Sequence, residues 1–289
     1  MARHLKKLFA GRDLVVATMH GKERIMGSLL EKKLGVRVII PDDLNTDEYG
    51  TFSGERERPL SQPETARLKL AEAMRRTGAD LGIASEGAFQ PHHQYFFATA
   101  DYELLLLRDE KAGAEWQSWE VTMHTQAVSH RFSSPQELLK LSKQLQFPSH
   151  AVIVKAIAPG GGFLFLEKGI TTKYGLLQAA EMALKVSADG SAVIENDLRA
   201  HMNPTRQKAI LQAARRLINN LNAVCPSCQW PRFTSDEKIP GLPCSLCGAA
   251  TRLTQHELFR CLRCNYYEKR NREDGLVAAD PKDCDRCNP

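Results

Sequence analysis

The most evident chemistry in this 289-residue chain belongs to its eight cysteines, all within the last 65 residues. They form four Cys-x-x-Cys pairs: Cys225/Cys228, Cys244/Cys247, Cys261/Cys264 and Cys284/Cys287. Such a turn presents two sulfurs on one side, and zinc takes four soft ligands in a tetrahedron, so two turns close one site. Fifteen residues separate Cys228 from Cys244 and nineteen separate Cys264 from Cys284, both zinc-ribbon intervals. The eight thiols are therefore expected to hold two structural zinc ions. With four thiolates on each metal, no coordination position is left for a substrate. Four turns can be joined in three ways. Sequential pairing closes the shortest loops and so costs the least entropy. Nested pairing makes Cys244–Cys264 one ribbon, with Leu253, Leu258, Phe259 and Tyr266 as its strands.

A second set of residues has the chemistry of phosphate binding. Thr18 and Lys22 lie on the connection between a first apolar strand and a first helix. In α/β folds that is where anionic ligands bind, with help from the amides that open the helix. Glu86 is expected directly after a short strand, beside Gly87, facing the same crevice. Arg199 and Arg206 flank the rigid Asn203-Pro204 turn and are expected to reach it as phosphate ligands. Hydrolysis of a nucleoside triphosphate needs such cations together with a magnesium ion held by carboxylates. Pro159-Gly-Gly-Gly162 lacks the lysine and hydroxyl of a phosphate loop and reads as a turn. His92 and His93 offer a metal role only as a lesser alternative.

The elements that would position these residues follow from hydrophobic periodicity. Leu14–Thr18 reads as a buried strand, and Ile25, Leu29 and Leu30 give one face of a helix ending near Gly35. Residues 36–40 form a second strand, and 42–59 is a long polar loop. Ser61 and Glu64 make a capping box for a helix with Ala66, Leu70, Ala73 and Met74 inward. Strands are expected at 81–84, 104–107, roughly 120–128, 151–156, 163–166 and 192–195. Further helices start at Ser134, about Lys173 and Asn203, the last running to the first cysteine. This alternation predicts an α/β fold with a mixed central sheet flanked by helices over residues 1–222, and a tandem zinc-ribbon module over 223–289.

Composition narrows the function classes. No run of about 18 apolar residues occurs, and the first ten residues lack a secretory apolar core, so a cytoplasmic protein without a membrane span is expected. The net charge is +5. Residues 223–289 carry ten Lys/Arg against nine Asp/Glu. Two four-thiolate zinc sites would each add about −2, leaving a tail unlike the basic surface of a nucleic-acid binder. The basic stretches Arg3–Lys7 and Arg199–Arg216 keep nucleic acid as a less favoured partner.

Four motifs then recur in order: Ala17-Thr18-Met19-His20-Gly21-Lys22, Pro63-Glu64-Thr65-Ala66-Arg67, Gly82-Ile83-Ala84-Ser85-Glu86-Gly87 and Glu167-Lys168-Gly169-Ile170-Thr171-Thr172. Together, over residues 12–186, they resemble the inosine/xanthosine triphosphatase family of house-cleaning purine nucleotide phosphatases. The resemblance implies that fold and magnesium-dependent hydrolysis of a purine nucleoside triphosphate or related phosphorylated metabolite. It implies a metal or water-activating role for Glu86, a metal-side carboxylate at Glu64, which the capping box also explains, and phosphate contacts from Lys168, Thr171 and Thr172. The first loop is one residue shorter than that pattern, and His20 stands where the pattern has Asn. The whole chain, with Asp197-Leu198-Arg199-Ala200, Asn203-Pro204-Thr205-Arg206 and the closing Cys287-Asn288-Pro289, also resembles a bacterial family of unknown function. Two further readings stand beside the hydrolase: a nucleotide sensor without turnover, and zinc ribbons that dock on nucleic acid or protein.

Overall fold

Leu14, Val15, Val16 and Ala17 are all buried, as a strand with neighbours on both sides requires. In the computed structural model, which describes residues 2–51 and 54–289, they belong to β1 (Asp13–Ala17). β1 follows a helix that the periodicity did not announce, α1 (Ala2–Phe9), and leads into α2 (Lys22–Leu34) and β2 (Arg37–Ile39). Next come α3 (Gln62–Thr77), β3 (Leu81–Pro91), β4 (Thr99–Asp109) and β5 (Ala114–Thr122). The five strands form one mixed sheet in the order β2-β1-β3-β4-β5. β1 is parallel to β2 and β3, and the β3-β4-β5 run is antiparallel. α3 lays Ala66, Leu70, Ala73 and Met74 against Val15, Ala84, Leu104 and Leu106 of this sheet.

A second sheet follows from β6 (Ser129–Phe132), α4 (Pro135–Gln144), β7 (Val152–Ile157), β8 (Phe163–Ile170), α5 (Lys173–Val186) and β9 (Ala192–Asn196). Its order is β6-β9-β7-β8, and every pair is antiparallel. Leu138 and Leu145, from α4 and its end, and Leu176, Ala179, Ala180 and Ala183 of α5 join Val152, Val154 and Ile194 in its core. The hairpin across residues 158–162 is the one expected from Pro159-Gly-Gly-Gly162. A last helix, α6 (Pro204–Asn222), is capped by Asn203, whose Oδ1 accepts the Arg206 amide at 3.0 Å.

Several boundaries differ from the sequence reading. The strand expected at 81–84 continues to Pro91, so Glu86 lies inside β3, paired with Leu104, rather than after its end. Polar Ser85-Glu86-Gly87 reads as a stop, yet ladder pairing with β4 carries the strand through it. The strand expected near 120–128 is β5, ending at Thr122, followed separately by β6. The loop 42–59 holds a 3₁₀ turn at Thr46–Tyr49; Phe52 and Ser53 lie outside the described residues.

The chain divides into two compact units, residues 8–217 and residues 1–7 with 218–289. The second contains a three-stranded antiparallel meander of β10 (Ser235–Pro240), β11 (Thr254–Arg260) and β12 (Tyr267–Asn271). Its small core is Cys225, Phe233, Phe259 and Cys261. Among the described residues no helix is long and apolar enough to cross a membrane.

Candidate functional site

Three of the four Cys-x-x-Cys turns share one backbone form. The residue after the second cysteine, Gln229, Gly248 or Asn265, has φ of 60°, 70° or 59°. Its amide donates to the carbonyl of the first cysteine at 2.9–3.0 Å, as the amide of Asn288 does in the fourth turn. Glycine and asparagine tolerate this left-handed conformation best. The reversal leaves both sulfurs of a turn on one side. Backbone amides of Cys247 and Leu246 draw the Cys244 thiol down to about 7, and that of Tyr266 does the same for Cys264.

The turns meet in two clusters of four: Cys225, Cys228, Cys261 and Cys264, and Cys244, Cys247, Cys284 and Cys287. Sulfur separations are 3.7 Å (Cys225–Cys264), 3.5 Å (Cys228–Cys261), 3.9 Å (Cys244–Cys287) and 3.7 Å (Cys247–Cys284). A tetrahedron of sulfurs about 2.3 Å from a zinc ion has edges of roughly 3.8 Å. Each cluster could thus hold one zinc ion. The pairing corrects both the sequential and the nested expectation: the first turn joins the third, and the second joins the fourth. The meander is the reason. Each strand reverses the chain, so successive turns fall at alternate ends of the sheet, and turns one strand-pair apart share an end. Parallel bridging of Cys244 with Ala279 then seats the last turn beside the second.

In the other unit, a narrow cleft open to solvent lies between the carboxyl end of β1 and the second sheet. Its described lining contains six Lys/Arg side chains and three carboxylates. Thr18 Oγ1 accepts the amides of His20 (3.1 Å) and Lys22 (3.4 Å), closing the turn that opens α2. Lys22 is buried and donates to the Ser85 carbonyl at 2.5 Å; burial pushes its pKa down to about 8. Lys69 Nζ stands 2.6 Å from Glu86 Oε1, an ion pair without the direction of a good hydrogen bond. Arg58 donates to the Gly87 carbonyl (2.9 Å), and Lys168 pairs with Glu55 (2.5 Å). Arg199 is held by buried Asp197, which also accepts its amide.

The Arg206 guanidinium, which also lines the cleft, meets Glu103 at 2.6 Å and donates to the Leu198 carbonyl. Gly87 makes room for this pair: a Cβ there would lie 2.3 Å from Arg206 Nη2 and 2.6 Å from Glu103 Oε1. Asp101, two residues before Glu103 on the same face, has its carboxyl pushed up to about 8 by burial and then by the Glu103 charge. Asp101 Oδ1 and Glu103 Oε2 are buried without a hydrogen-bond partner among the described residues.

Of the residues singled out by sequence, the cleft brings together Thr18, Lys22, Glu86, Lys168, Arg199 and Arg206. Glu64 is exposed and engaged in the capping box, its carboxylate accepting the Ser61 amide (2.9 Å) and hydroxyl (2.6 Å). Thr172 caps α5, accepting the Gly175 amide at 3.2 Å, and Thr171 is exposed beside it; neither they nor Glu64 are among the lining residues. The lining adds His20, Asp47, Arg58, Lys69 and Asp197. Lys69 left a signal: it interrupts the apolar stripe between Ala66 and Ala73, where a lysine needs a buried partner. Asp101 and Glu103 left a similar one, sharing strand parity with buried Leu105 and Leu107. Nothing local marks Arg58 or Asp47. His92 and His93 stack on each other (4.3 Å between centroids) at the β3–β4 tip, away from the cleft lining.

An α/β unit with a cationic cleft and a tail of two four-cysteine clusters is the class of protein these features define. The family described as a domain of unknown function (DUF6671) matches residues 69–289, and the chain belongs to that family. The match includes Glu86, Lys168, Arg199, Arg206 and all eight cysteines. A comparison with curated proteins finds no match.

Proposed function

We propose that the cleft binds the phosphates of a purine nucleoside triphosphate or a related phosphorylated metabolite and hydrolyses it, and that each cysteine cluster holds a structural zinc ion. The observation that carries the reading is Lys22, buried in a cleft lined by five further Lys/Arg side chains, four of which are paired with carboxylates, and donating its own side-chain hydrogen bond to the Ser85 carbonyl. Holding like charges together out of water is costly unless an anion shares the space. The ordered motifs shared with inosine/xanthosine triphosphatases supply the reaction type and fold. In this reading Lys22, Lys168, Arg199 and Arg206 take the phosphates. Glu86 would be the carboxylate to hold a magnesium ion carried by those phosphates; such ions commonly take one or two carboxylates beside substrate oxygens. Cysteines kept in metal spacing suit a reducing compartment, and we place the protein in the cytoplasm.

One observation favours binding without turnover: Glu86 is already neutralised by Lys69. Titration calorimetry with inosine, xanthosine and guanosine triphosphates and inorganic triphosphate, each with magnesium, tests binding; a phosphate-release screen tests turnover. Binding with turnover, lost by on the order of 10² in Glu86→Gln, supports the hydrolase. Binding without turnover selects the sensor. Absence of both removes the phosphate reading.

A further inference from the structure

His20 is the residue at which the first loop departs from the phosphatase pattern, and the structure gives it a partner. Its Nε2 lies 2.9 Å from Asp47 Oδ1, and both line the cleft that holds Lys22, Glu86 and Arg206. A carboxylate only accepts, so in the neutral ring Nε2 carries the hydrogen and Nδ1 the lone pair. The ring is fixed on a second side by His201, stacked at 5.3 Å between centroids and 22° between planes. Its backbone is fixed as well, through the His20 amide to Thr18 Oγ1. A histidine whose tautomer and orientation are set by a carboxylate, beside a cluster of phosphate-binding cations, has the arrangement of a general base with its orienting group.

We infer that His20, positioned by Asp47, is the proton acceptor of the cleft, activating water for attack on a phosphoryl group. In that step the water oxygen forms a bond to phosphorus and one water proton passes to His20 Nδ1. The bond from phosphorus to the leaving phosphate oxygen breaks, and its electron pair stays on that oxygen, stabilised by the surrounding cations. His20 then returns its proton to solvent or to the leaving group. The inference rests on the phosphate reading of the cleft and adds to it the group that moves the proton. The groups facing His20 are Asp47 from the 3₁₀ turn, His201 from the turn before α6, and Lys22 from the start of α2. Burial, the largest influence, together with His201 and Lys22, outweighs Asp47 and draws His20 below the usual 6.5, which leaves it neutral and able to accept at pH 7.

The test uses full-length, metal-loaded protein with ¹³C-labelled histidine, the His20 signal being the one missing in His20→Asn. Inorganic triphosphate with magnesium is the binding probe, and the triphosphate turned over fastest in the screen is the substrate. The His20 resonance is expected to titrate below 6.5 and to move when triphosphate saturates the cleft. His20→Asn is expected to keep triphosphate affinity within a few-fold, to lower the turnover number on the order of 10² or more, and to abolish the acid limb of the pH–rate profile. Asp47→Asn should lower turnover in the same direction by less. Triphosphate binding that leaves the His20 resonance unmoved, or an acid limb that survives in His20→Asn, overturns the inference while sparing the binding site. Binding with no turnover of any substrate also overturns it. Failure of triphosphate to bind at all overturns the phosphate reading itself.

Discussion

Lys69 Nζ lies 2.6 Å from Glu86 Oε1, and both side chains are at most 9% exposed. The pair joins α3 to the middle of β3 on the face that also carries the apolar cluster of Ala66, Leu70, Ala84 and Leu104. A buried ion pair adds little net stability, because desolvation consumes most of the attraction, but losing one member strands the other. Lys69→Met and Glu86→Gln are each expected to destabilise the α/β unit, Lys69→Met by about 3–5 kcal/mol. The double substitution should recover part of that loss. A double-mutant cycle from urea denaturation measures the coupling; additive losses would mean that the pair is not formed.

Gly87 sits where Arg206 and Glu103 pass beneath β3. A methyl group at 2.3 and 2.6 Å from their polar atoms forces the ion pair apart or the strand outward. Gly87→Ala is expected to cost about 1–3 kcal/mol, the range for overpacking a tight site. Gly160→Ala, where no atom lies within 4 Å of the added carbon, should be neutral and serves as the control. Thermal melts of the two variants decide it.

Most of the helices were legible in the sequence because their signals are local. Ser61 with Glu64, Ser134 with Glu137, and Asn203 each cap the helix they announce. Half of the cleft was legible for the same reason: Thr18 follows the apolar strand β1, Lys22 opens α2, and Glu86 follows the apolar start of β3. The rest depends on contacts far apart in the chain. Asp47 reaches His20 across 27 positions and Arg206 reaches Glu103 across 103, and no periodicity carries such information. The extension of β3 was hidden for a related cause. Its polar centre is buried where Lys69 of α3 neutralises Glu86, and where Arg206 of α6 does the same for Glu103 on the neighbouring β4.

Lys22 sets a pH dependence with two opposite signs. Its folded-state pKa is about 8 against the ordinary 10.5, lowered mainly by burial. As pH rises through about 8 the ammonium loses its charge, so affinity of the cleft for inorganic triphosphate is expected to fall there. Between about 8 and 10.5 the unfolded chain binds a proton at Lys22 that the folded chain does not, so this residue's contribution to stability rises with pH over that window. Lys22→Met should remove both effects: weak triphosphate binding without the limb near pH 8, and a flatter stability profile above it. Calorimetric titrations and urea melts from pH 7 to 10.5 separate the two. An unchanged binding limb in Lys22→Met would assign it to another group.

The crossed pairing of the cysteine turns predicts zinc stoichiometry. A strand lies between each turn and the next, so an antiparallel meander puts the first and third turns at one end and the second and fourth at the other. The loop entropy that favours sequential pairing grows only slowly with loop length, by about 0.6 kcal/mol per doubling, and the β10-β11-β12 ladders outweigh it. Full-length protein is expected to carry two zinc ions. Cys225→Ser with Cys261→Ser removes ligands from one cluster, and about one zinc should remain. Cys225→Ser with Cys244→Ser removes a ligand from each cluster, and zinc should fall toward zero, with destabilisation of the cysteine unit because such modules draw folding energy from the metal. Sequential pairing would reverse the two outcomes, and nested pairing would lower both variants alike. Elemental analysis of the purified variants reads the difference directly, and native protein without zinc would end the assignment of metal to these clusters.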